Sequence, residues 1–240
     1  MGHNLPDDGA GGEGFDNAAE TLFLSPVHGE KYLESARETL AYVAANEASR
    51  KLIFVARPGD GQSPEQAARA VLARFATRAF RRPVGEEELE RLMLLFRRAS
   101  EQGDTFEQAV FYALQGVLVA PQFLFLVEEP HAELEPRPLN DYELATRLSY
   151  FLWCSTPDDT LLKLAEQGKL RDDKVLREQT LRMLKDRKAE RFVDDFVGQW
   201  LGTRALGREI APDRKLFPNF DDELASAMRS EETINLFKVV

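Results

Sequence analysis

Residues 139–162, LNDYELATRLSYFLWCSTPDDTLL, decide how this 240-residue chain is read: they spell one buried helix, a sharp turn and the start of a second helix. Asn140 is placed to cap the first helix, and Glu143, three residues on, can reach back to the cap in the reciprocal pattern of a capping box. Leu144, Leu148, Phe151 and Leu152 share one helical face, and Tyr150 and Trp153 carry the apolar surface round the last turn. That half of the helix is therefore expected to be nearly surrounded by protein. Thr156 is read as the cap of the next helix, with Pro157 at its first position and Asp158 and Asp159 at its positive end.

Outward from this stretch, every long apolar pattern has helical period. Ser25-Pro26 opens a helix to about Ala45 with Leu33, Ala36, Leu40 and Val43 inward. Ser63-Pro64 opens another, with Ala68, Val71, Leu72 and Phe75 inward, ended by Pro83. Gly85 to Gln102 is strongly amphipathic, with Leu89, Leu92, Met93 and Phe96 inward and Gly103 as its stop. Asp104 or Thr105 caps a helix that Pro121 ends or kinks. Later helices are expected over Asp173 to Lys185, over a long run capped by Asp186 that carries Phe192, Phe196, Val197 and Trp200, and over Asp222 to about Phe237. Only Lys51 to Arg57 (KLIFVAR) reads as strand or extended chain, and alone it makes no sheet. The expected fold is all-α: two helical modules joined by an acidic, proline-bearing linker, with at most one short extended segment. The divisions are 1–62 (loop, helix, extended segment), 63–128 (helical module), 129–138 (linker) and 139–240 (second helical module).

The run LSYFLWCSTPDD resembles a segment of the helical domain-of-unknown-function families found in large exported planctomycete proteins, often beside a cytochrome c domain. GFDNAAETLFLSP with KYLESA (Gly14 to Ala36), IFVARP with RFATRAFRRPV (Ile53 to Val84), and FVDDFVGQWL with LFPNFDDELASAM (Phe192 to Met228) extend the likeness over nearly the whole chain. The resemblance implies a fragment of several consecutive domains, an exported (periplasmic or extracellular) setting, and neighbouring domains of a longer polypeptide, a cytochrome c domain among them, as partners. It also implies a continuation beyond Val240, leaving Leu236 and Phe237 short of partners. Related sequences commonly carry cysteines at the positions of Ala56 and of Ala67 or Ala68, which looks like a disulfide; both are absent here, which weakens the extracellular reading.

Composition narrows the chemistry. A 43% hydrophobic content is enough for a core, and a net charge of −10 argues against a dedicated nucleic-acid binder. Ala109 to Val127 is nineteen residues without a charge, but Gln115, Gly116, Pro121 and Gln122 make it a packed helix rather than a membrane span. One cysteine, Cys154, excludes an internal disulfide and a C-x-x-C-H haem site, and at a helix end with no nearby histidine it reads as a packing thiol. His3, His28 and His131 lack metal-ligand spacing, and Asp7, Asp8, Glu13 and Asp16 do not match the regular calcium loop. No cofactor or metal is expected in this chain. The one charged cluster singled out is Arg74, Arg78, Arg81 and Arg82, at the end of a helix, as a contact for an anion or an acidic partner. No catalytic motif is present, so the first expectation is a structural or interaction module. The second is part of an oxidoreductase or polymer-acting hydrolase completed by further domains; a deep pocket with converging charges favours it, and a helical surface with an apolar patch favours the first.

Overall fold

A computed structural model describes residues 25–59, 61–128, 137–203, 205–207, 212–213 and 215–228. The acidic loop around Asp7 to Asp16, His3, His131, most of the linker and the last helix beyond Met228 lie outside them. Among the described residues the protein is all-α, with an isolated bridge between Gly59 and Gln62 and no strand. The chain divides into two compact units at Glu143 and Leu144.

The first unit begins with α1 (Pro26–Ala45), where the Ser25 hydroxyl and His28 cap each other and Ala36 and Leu40 are buried. Asn46 both ends α1 and caps α2 (Glu47–Ile53), its side-chain oxygen accepting from the Ser49 N–H at 2.9 Å. This corrects the reading of 51–57 as strand or extended chain: Lys51 to Ile53 finish a helix, and only the residues from Phe54 leave it. Phe54 is buried edge-on against Phe111, with ring centroids 5.3 Å apart, and burial of that ring, not strand pairing, fixes the segment. Three longer helices follow, α3 (Pro64–Phe80), α4 (Glu86–Glu101) and α5 (Phe106–Leu118), and their inward stripes fuse into one core around Val71, Leu72, Met93, Phe96, Val110 and Leu114. Gly116 lets α5 approach α4 closely, since a Cβ there would lie 2.6 Å from the Leu95 Cδ1. Pro121 opens the short α6 (Pro121–Leu124) after α5 has ended, so the uncharged run is two helices. No helix among the described residues is long and apolar enough to cross a membrane.

The organising helix α7 (Asp141–Trp153) starts as expected: the Asn140 side chain accepts from the Glu143 N–H at 2.9 Å, and a Glu143 carboxylate oxygen accepts from the Asn140 N–H at 2.8 Å. Its inward face is different. Ala145, Ser149, Leu152 and Trp153 are buried, Leu144 and Leu148 are half-buried, and Phe151 is 53% exposed. Small residues at 145 and 149 allow close approach on that side, while Phe151 turns out to meet the edges of Phe192 and Phe196. The next helix, α8 (Asp159–Glu166), is capped by Asp158 rather than Thr156, because Asp158 accepts from the Leu161 N–H and also takes the Arg182 guanidinium at 2.8 Å. Asp172 caps α9 (Asp173–Leu184), and the Trp153 indole N–H donates to the Met183 carbonyl at 3.0 Å, tying α7 to the end of α9. The long helix expected after Asp186 forms without a gap from 187 to 200, but its hydrogen-bonding register is broken into a 3-10 turn (187–189), a helical turn (190–192), a π-helical turn (193–197) and a last helical turn (198–200). Asp186 caps only the first of these, accepting from the Lys188 N–H.

Candidate functional site

Of the four arginines singled out from sequence, Arg81 and Arg82 are engaged within the fold. Arg81 is 3% exposed, and its guanidinium donates to the carbonyls of Gln122, Phe123 and Phe125, at 2.7, 3.2 and 2.7 Å, clamping the end of α6. Arg82 forms a two-pronged pair with Glu88 at 2.9 and 2.8 Å, bridging the turn between α3 and α4 and holding the Glu88 carboxyl below the ordinary glutamate range. Arg74 and Arg78 remain exposed on α3.

A different set converges in the second unit. The end of α7 supplies Trp153, Cys154 and Ser155, and the broken helix supplies Arg187, Lys188, Glu190, Arg191 and Asp194; together they line an open cleft of about 800 Å³. Lys188 Nζ sits 4.6 Å from the centre of the Trp153 ring, whose other neighbour is the Arg182 guanidinium at 5.5 Å. Sequence reasoning missed this cleft because its two walls lie more than thirty residues apart; the only local signal was the run of cations from Arg182 to Arg191.

Cys154 is not the core thiol expected. It is exposed, ends α7 in a left-handed conformation (φ 48°), and its thiol donates to an Asp195 carboxylate oxygen at 3.0 Å. Partial burial and the Asp195 hydrogen bond push the thiol up to about 11, which suits a structural donor and not a nucleophile at neutral pH. Among the described residues no group of three or more His, Cys, Asp or Glu side chains is arranged to hold a metal ion.

Beyond the cleft the broken helix carries an aromatic row. Phe192 and Phe196 stack 5.2 Å apart and nearly parallel, Phe151 meets both edge-on, and Trp200 continues the row 6.3 Å from Phe196 while remaining 60% exposed.

Three families match, all described as proteins of unknown function: PSD3 (DUF1587) over residues 1–45, PSD5 (DUF1595) over 67–128 and PSD4 (DUF1592) over 139–240. The three matches follow one another along the chain. The PSD5 segment holds most of α3 and all of α4, α5 and α6, and with them most of the core of the first unit. The whole of α7, the cleft and the aromatic row fall in the PSD4 segment. No curated protein and no solved structure matches the chain.

Proposed function

We propose that the chain is a non-catalytic helical module of a longer, exported, cytochrome-c-associated polypeptide, whose role is to hold or present neighbouring domains. The observation that carries this reading is the aromatic row on the second unit: Phe151 and Trp200 are 53% and 60% exposed although they belong to a continuous ring cluster. Large apolar side chains grouped in this way mark contact surfaces, since each exposed ring forgoes the roughly 25 cal/mol per Å² that burial contributes. The enzyme alternative has less behind it. The cleft is open, its charges are of both signs, and its thiol is held protonated at neutral pH.

The test is to express the flanking domains of the same reading frame separately and titrate them into this chain while following tryptophan emission. Trp200 is expected to shift to the blue and lose quenching by iodide, and a Trp200→Phe variant is expected to lose that response while Trp153 stays silent. An unchanged Trp200 signal with every flanking domain would overturn the reading.

A further inference from the structure

The chain as a whole is acidic, yet residues 169–191 carry nine basic and five acidic side chains, a net charge of +4 within a chain of −10. Two of those acids are engaged locally: Asp172 accepts from the backbone N–H groups of Lys174 and Val175, and Asp186 accepts from that of Lys188. On α9, Lys174, Arg177, Glu178 and Leu181 share one exposed face at helical spacing, with Lys185 next in phase at the cap, so cations outnumber acids on that face by three to one. This stripe leads along the chain into the cleft, where Arg187, Lys188 and Arg191 are exposed as well. The Arg187 side chain is 92% accessible, and its nearest carboxylate, from Glu190, stands 3.9 Å away, a contact too long and too solvated to hold it in place.

We propose that the basic stripe of α9 and the cleft beyond it dock an extended acidic peptide segment of a partner protein. The mixed lining selects this class of ligand. Nucleic acid presents a phosphate at every step and would meet Glu190 and Asp194 as repulsive groups, whereas a peptide spaces its carboxylates and offers backbone N–H donors between them. Its carboxylates pair with Arg187, Lys188 and Arg191, and its N–H groups with Glu190 and Asp194. The surface is separate from the aromatic row and uses other residues, so it stands or falls apart from the apolar docking described above.

The experiment uses the full isotope-labelled chain and a synthetic peptide alternating glutamate and glycine. At low salt the peptide is expected to shift the Trp153 indole N–H and the amides of Arg187, Lys188 and Arg191, and to bind about tenfold more weakly when salt is raised several-fold. The double variant Arg187→Glu/Arg191→Glu is expected to lose the binding with an unchanged melting temperature. Lys174→Glu/Lys185→Glu is expected to weaken it, and Lys31→Glu, on the first unit, to leave it unchanged. Shifts that are absent, or that survive the Arg187→Glu/Arg191→Glu change, would overturn the proposal, as would tighter binding of a single-stranded oligonucleotide of equal charge.

Discussion

Two side chains hold positions where their backbones adopt the left-handed conformation that glycine accepts more readily: Arg81 at φ 60° and Cys154 at φ 48°. Such a residue costs about 1–2 kcal/mol, so something in its surroundings has to compensate. For Arg81 the compensation is the three carbonyls that its guanidinium reaches. Arg81→Met keeps the strain and leaves those carbonyls without a charged donor, and is expected to cost roughly 2–4 kcal/mol in urea unfolding. Arg81→Gly relieves the strain and is expected to cost less than the methionine change. For Cys154 the compensation is the hydrogen bond to Asp195, and its signature is in the titration. The folded thiol is raised to about 11, above its unfolded value, so its contribution to stability is present below about pH 8.5 and is lost as pH rises towards 11. Asp195→Asn removes the acceptor charge and is expected to speed iodoacetamide alkylation of Cys154 at pH 8; an unchanged rate would assign the whole shift to burial.

Between elements, contact distance is set by a few small residues. A Cβ at Gly116 would lie 2.6 Å from the tip of the half-buried Leu95 side chain, so Gly116→Val is expected to push that side chain aside and cost about 1 kcal/mol, seen as a lower denaturant midpoint. At the start of α4 the Arg82 fork lowers the Glu88 carboxyl, which contributes stability above the ordinary glutamate range and loses it as pH falls through the folded value. Glu88→Gln is therefore expected to cost about 1 kcal/mol at pH 7, and the difference from wild type is expected to shrink as pH falls below the ordinary glutamate range. Helices of this kind were legible beforehand wherever one stripe was apolar and the rest polar: Leu89, Leu92, Met93 and Phe96 on α4 are all buried as read. The α7 face was not, because Phe151 and Leu152 are equally apolar neighbours and only the distant Phe192 and Phe196 decide that Phe151 turns outward. Asp158 over Thr156 was likewise settled by a tertiary partner, Arg182. The π turn had no local signal, since π and α turns share their side-chain chemistry, and the cleft was hidden because its two walls are far apart in sequence.

For the molecule as a whole, the fused core of α3, α4 and α5 with Leu40 and Phe54 lies entirely within the first unit, and both tryptophans belong to the second. Residues 25–128 alone are expected to give a helical far-ultraviolet spectrum and a cooperative thermal transition; a non-cooperative melt would mean that the first unit needs the second. In the intact chain, tryptophan fluorescence follows only the second unit while ellipticity follows both, so the two unfolding curves are expected not to coincide. The π turn at 193–197 has a long reach for so short a feature. It houses one residue beyond what an α-helix of the same rise would hold, which makes it a stored insertion. Wound as a regular α-helix instead, the same residues would turn everything after them by about 100°. Trp200 would swing out of line with Phe192 and Phe196, although not one side chain of the row had been changed.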